Sequence, residues 1–194
     1  MPRFYETLIT EQKIGLTREQ YIDASLVFQK MEGRLRFAMV KGLIAIALCL
    51  FFVVDACMGA PFTTDEIIVR LATIVLSLLS FGLLSLYFLI RLPKKEAARA
   101  GERYDDSILP GIQETASVYR DSFEVKNEFE SMTGFWAECK GCCRKGDMLV
   151  VSTTENLSRN MLVFVKPAMT EREFDALCAH FQSAFTGKKY KTLK

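Results

Sequence analysis

Two runs of the chain decide its architecture: GLIAIALCLFFVV at residues 42–54 and LATIVLSLLSFGLLSLYFLI at residues 71–90. The second holds no charged residue and, as a helix, is long enough to cross the ~30 Å hydrocarbon layer of a bilayer. The first has a charge-free core shorter than the roughly 20 residues that a crossing needs. Its ends extend it. The Lys41 stem reaches back towards headgroups, and Ala56, Cys57, Met58, Gly59 and Ala60 carry the chain past Asp55 to Pro61. The polar connection between the runs has no room for a domain, so Gly42 to Leu92 reads as a transmembrane α-hairpin rather than as a buried helix of a soluble core.

The flanking cations are asymmetric. Lys30, Arg34, Arg36 and Lys41 precede the first run and Arg91, Lys94, Lys95, Arg99 and Arg103 follow the second, whereas the connecting side offers Arg70 against Asp55, Asp65 and Glu66. Lys and Arg are retained on the cytosolic side of membranes, which predicts a multi-pass protein of the cell (inner or plasma) membrane with both termini cytosolic. A cleaved signal peptide is not expected, because ~40 residues of mixed charge precede the first run. The formal net charge of +2 is too small to indicate a nucleic-acid partner, and the cations sit where anionic headgroups account for them.

Working outward, the chain divides into an arm, 1–36; the hairpin, 37–92; a helical spacer, 93–111; a sheet-and-helix domain, 112–187; and a basic tail, 188–194. In the arm, Phe4 to Ile9 reads as a short strand that adds to an open edge of the downstream sheet. Thr17 and Gln20 form a capping box that starts an amphipathic helix through Ala24, Val27, Phe28 and Met31, with a break at Gly33. In the hairpin, the small residues Gly42, Ala45 and Cys49 are expected to face Thr73, Ser77 and Ser80. Asp55 is expected to meet water or to pair with Arg70 rather than to form an intramembrane cation site. Pro93 should break or kink the second helix, and Leu109-Pro110-Gly111 marks a boundary.

Beyond it the period changes to two. Strands are expected at Ala116 to Tyr119, Phe123 to Glu130, Phe135 to Cys143, Met148 to Ser152 and Met161 to Val165, in a meander. Asn127 is the one polar intruder on the apolar face of the second. A capping box at Thr170 and Glu173 then opens a helix whose face carries Phe174, Leu177, Cys178, Phe181 and Phe185, with a stop at Gly187. The fold class is therefore α+β: a transmembrane α-hairpin plus a small cytosolic antiparallel sheet closed by one C-terminal helix. The tail from Lys188 to Lys194 is expected to be solvated or to touch headgroups.

Chemistry has few candidates. Cys139, Cys142 and Cys143 contain the C-x-x-C spacing that suits a shared zinc ion or a redox pair, with Cys178 or His180 as further ligands. Cysteine is also a small, commonly buried hydrophobe, and that core reading is favoured. On the cytosolic side these thiols stay reduced, so no disulfide framework is expected. His180 lies off the apolar stripe and is expected to be solvated. Glu124, Glu128 and Glu130 alternate as a solvent face does. Asn156-Leu157-Ser158 matches a glycosylation sequon that cytosolic placement would leave idle. With one histidine, no G-x-S-x-G elbow and no glycine-rich phosphate loop, no catalytic, cofactor or metal residue is assigned and no enzyme is expected.

Tyr119-Arg120-Asp121-Ser122-Phe123-Glu124-Val125, then Trp136, then Lys166-Pro167 with Met169-Thr170-Glu171-Arg172-Glu173-Phe174, resembles the YcxB-like family of bacterial membrane proteins, as does the order of arm, hairpin, sheet and closing helix. The resemblance implies a pleckstrin-homology-like domain and no established activity. The function read from the chain is a membrane-anchored, non-enzymatic binding or regulatory module. Its partners would be the bilayer and a protein or lipid headgroup on the domain, with homo-oligomers allowed. The alternatives are a thiol or zinc sensor on Cys139, Cys142 and Cys143, and a small oligomeric channel or transporter subunit. Reporter fusions after Ala60 and after Lys194 check the orientation: the first should report the outer side and the second the cytosol.

Overall fold

The computed structural model describes residues 7–58, 63–107, 113–153, 160–185 and 189–193. Its elements, in chain order, are β1 (Leu8–Ile14), α1 (Arg18–Met31), α2 (Arg34–Cys57), α3 (Thr64–Asp105), β2 (Glu114–Tyr119), β3 (Ser122–Lys126), β4 (Ser131–Phe135), β5 (Gly141–Lys145), β6 (Met148–Ser152), β7 (Met161–Val165), α4 (Glu171–Ala184) and β8 (Tyr190–Leu193). The chain is α+β and forms two units: a helical unit, Glu32–Ala98, and a sheet unit that joins Met1–Met31 to Arg99–Lys194.

In the helical unit, α2 and α3 are both long and apolar enough to cross a membrane. Gly33, at φ 87°, lies in the left-handed region that favours glycine, which ends one helix before α2 begins. α3 opens with a capping box absent from our sequence reading: Thr63 N donates to Glu66 Oε2 at 3.0 Å and Glu66 N to Thr63 Oγ1 at 3.4 Å. The two helices pack through small residues. A Cβ at Gly42 would lie 2.7 Å from Leu89 Cγ, so the glycine permits the approach. The Cys49 thiol reaches the Ser77 carbonyl at 3.6 Å, and Phe52 stacks on Phe81.

Three expectations for this unit are narrowed. Ser77 is buried as expected, but Ser80 faces outward and Thr73 is half-buried, its hydroxyl donating to the Val69 carbonyl. Two π-turns, Leu78–Gly82 and Tyr87–Arg91, each add a residue to a turn and rotate the inner stripe onto Phe81, Ser85 and Leu89. Pro93 does not end α3. The carbonyl it would clash with, four residues back, belongs to Leu89 inside the second π-turn, where the wider turn makes room. Of the two settings expected for Asp55 the structure has the exposed one, and among the described residues it does not pair with Arg70. Arg70 Nη1 donates to the carbonyls of Ala56 and Met58 at 3.2 and 3.0 Å, satisfying the exposed end of α2.

In the sheet unit the strand order is β1-β2-β3-β4 in one sheet and β7-β6-β5-β8 in the other. β1 pairs antiparallel with β2, Gln12 opposite Ala116 and Lys13 opposite Thr115. The arm therefore does contribute an edge strand, but at Leu8–Ile14 rather than Phe4 to Ile9, of which Phe4 to Glu6 lie outside the described residues. The alternation was hidden because Thr10 and Gln12 take inward positions beside Ile14. The Gln12 amide donates to the Val165 carbonyl at 3.3 Å, linking the edge of one sheet to the other.

The main core unites both sheets. Val118, Phe123 and Val125 meet Leu149, Val151 and Phe164, and α4 closes the core with Phe174, Leu177, Phe181 and Phe185. On the opposite face of the second sheet, Ala24 and Val27 of α1 cover Cys143, Val150 and Val163. β6 is thus buried on both sides, which is why it reads as a continuous apolar run.

Among the described residues, the expected meander of five strands is replaced by eight strands in two sheets. β3 stops at Lys126 because the Asn127 carboxamide turns the chain: its Oδ1 accepts from Phe129 N and Glu130 N, both at 2.8 Å. Phe129 is left 76% exposed at that turn. The expected strand from Phe135 to Cys143 is split by a 3-10 turn, Trp136–Glu138, where the chain passes from one sheet to the other. The basic tail is structured: Tyr190–Leu193 lies parallel to β5, the one parallel pair among the described strands. Leu109 to Gly111, the sequon and Gly187 lie outside the described residues.

Phe181 is the keystone of the core, its ring 4.9 Å from Trp136 and 5.6 Å from Phe164. Phe181→Ala should lower unfolding free energy by about 3–5 kcal/mol, and Phe181→Asp should prevent the unit from folding. Urea unfolding followed by Trp136 fluorescence checks both, with exposed Arg172→Ala as the unchanged control.

Candidate functional site

The cysteines do not converge on one site. Cys139, Cys142 and Cys178 lie in the main core, whereas Cys143, the next residue along β5, points to the opposite face among the side chains covered by α1. All four are buried and unpaired, Cys142 completely so. Burial pushes the Cys139 thiol up to about 11 and raises Cys142, Cys143 and Cys178 as well. A thiolate is what binds zinc or attacks a disulfide, so these surroundings oppose both. Among the described residues, no group of three or more potential ligands is arranged to hold a metal ion.

His180 also departs from expectation. It is half-buried against Trp136 and Phe181, with Nε2 sealed from solvent and lacking a hydrogen-bond partner among the described residues. Burial lowers its pKa and Asp121 opposes that shift. Neutral imidazole fits this apolar setting.

Three features escaped the sequence reading. The first is a groove of about 400 Å³ between α1 and the β5–β6 turn, lined by Gln20, Asp23, Lys145, Met148, Val165 and Pro167. Its lining is mostly apolar, and Lys145 Nζ bonds Asp23 Oδ2 at 2.9 Å from 122 positions away. Such a surface can take an apolar side chain between two acids, Asp23 and Asp147, and one cation, Lys145. It holds no nucleophile beside a base.

The second is a clasp within the sheet unit. Arg18 makes a bidentate pair with Asp105, with Nε at 3.0 and 3.1 Å and Nη2 at 3.0 Å, and Tyr104 Oη donates to the Leu16 carbonyl at 2.7 Å. Tyr21 packs on Tyr104 at 5.5 Å. This joins α1 to the last turns of α3 across a separation of 87 residues that no local pattern reveals. The third is the docked β8. Against known proteins, the chain matches no family model, no curated protein and no solved structure.

The buried thiols set a pH dependence. Cys139 has an ordinary pKa of 9.0 when unfolded and about 11 when folded, so below pH 9 both states keep the proton and stability is flat. Above pH 9 the unfolded chain releases it first, and stability falls until the folded thiol ionises as well. The urea midpoint should drop over this window, and less in Cys139→Ala. Equal drops in the two proteins would contradict the assignment.

Proposed function

We propose that the chain is a non-enzymatic binding or regulatory module held at a cell membrane by α2 and α3, with both of its ends on the cytosolic side. The observation that carries this reading is the outward surface of the two helices. In their most apolar stretches 22% of α2 and 6% of α3 is buried, the reverse of a helix inside a soluble core. Leu43, Leu50, Leu76, Leu79 and Leu83 all face outward and would be satisfied by lipid. The cation asymmetry supports the orientation.

The sheet unit supports the binding half of the reading. Two sheets around one core, closed by a helix, fit the pleckstrin-homology-like plan implied by the YcxB-like resemblance. Fold likeness alone assigns no ligand. The groove beside Asp23 and Lys145 is a concave surface that suits recognition, and the buried, protonated thiols favour this reading over a thiol or zinc sensor.

Leu79→Arg combined with Leu83→Arg tests the anchor, since each cation placed near the middle of a span costs about 2.5 to 3.5 kcal/mol. The native chain should stay in the pellet of alkaline-washed membranes and the double variant should be released. Recovery of both in the soluble fraction would reject the anchored reading. For the groove, a partner captured from native membranes by the full chain should be lost with Lys145→Glu while the unfolding midpoint is unchanged.

A further inference from the structure

The edge of β5 is built to receive a strand. Gly141, Cys142 and Cys143 are all buried and small, and a Cβ at Gly141 would stand 2.7 Å from the Lys189 carbonyl oxygen, a backbone atom with no room to move aside. Tyr190 pairs with Cys142 and Leu193 with Lys145, in parallel register. The two residues are read on opposite sides: Tyr190 packs on the main core, Leu193 on the smaller core under α1. The site therefore recognises an extended segment with an aromatic residue and, three positions on, an aliphatic one.

Its resident is weakly held by comparison with the rest of the sheet. β8 has four residues, its middle two are exposed, and its pairing is parallel, the less stable arrangement per residue. Segments with few buried contacts open well below the global unfolding free energy. Opening would bare the amide edge of β5 and the Cys143 thiol.

We propose that the β5 edge is a strand-accepting site, that Tyr190–Leu193 is its displaceable occupant, and that a second copy of the chain supplies the same segment in exchange. The neighbour's segment fits because it is the sequence the site already reads, and reciprocal exchange gives a closed two-fold pair. The exchange rests on the anchored reading above, since copies confined to one bilayer plane meet at raised effective concentration.

The test uses the full chain in detergent micelles, a chain truncated after Gly187, and a synthetic peptide of residues 189–194. Site-resolved mass spectrometry of N-ethylmaleimide labelling reads Cys143 separately from the exposed Cys57. Truncation should speed Cys143 labelling at least tenfold, and the peptide should restore protection, whereas a peptide carrying aspartate in place of Tyr190 and Leu193 should not. The intact chain should show a dimer by native mass that rises with concentration and is lost on truncation. Gly141→Ala in the full-length chain gives the same readouts should the truncated chain fail to fold. A Cys143 that stays protected once β8 is removed or expelled overturns the site. An intact chain that remains monomeric, or a dimer that survives truncation, overturns the exchange, and an edge that takes the peptide without dimers points to another protein's strand. Because these measurements are made in detergent, a failed exchange is distinguishable from a failed anchor, which the alkaline wash reports.

Discussion

The pairing of β1 with β2 is the constraint on which the rest depends. The two strands are neighbours in space and roughly one hundred residues apart in sequence, a loop whose closure entropy grows only slowly with its length. Everything from Gly15 to Gln113, both apolar helices included, is inserted between adjacent strands of one sheet. Adjacent strands lie about 4.8 Å apart, so the inserted segment begins and ends at nearly the same place. The clasp of Arg18 with Asp105 and Tyr104 with Leu16 repeats that closure one layer out, between helices rather than strands.

Much of this was legible in the residues, and what was not has physical reasons. Both apolar helices and the capping boxes at Thr17 and Thr170 stand out because each is a local pattern, and the structure contains all of them. β1 was half-legible: its inward Thr10 and Gln12 are tolerated through the long-range bond from Gln12 to Val165, which leaves no mark on the sequence around it. The π-turns were illegible because a change of helical pitch is a property of packing against α2, not of composition. The arm's charges gave no hint of their partners, since Arg18 and Asp23 bond residues 87 and 122 positions away.

For the candidate chemistry, the residue types were legible and their faces were not. C-x-x-C spacing is equally a metal pattern and a stretch of small hydrophobes, and only the placement of Cys142 and Cys143 on opposite sides of β5 separates the two. The small volume of those residues also has a structural use. It leaves space over β5 for Tyr190 on one face and Leu193 on the other, so the residues that look most like a reactive centre act as the floor of a packing site.

The insertion has a consequence for the birth of the protein. At a synthesis rate of about 5 to 20 residues per second, β1 leaves the ribosome many seconds before β2 exists. During that interval it is an exposed edge without a ladder, and both apolar helices are made before its partner arrives. Under the anchored reading proposed above, delivery of the helices to lipid comes before completion of the sheet, and the sheet unit cannot close ahead of its anchor. The order of assembly is written into the connectivity: a chain that stalls between its two apolar helices also leaves β1 unpaired, so a fault in the inserted segment is felt as a fault in the sheet.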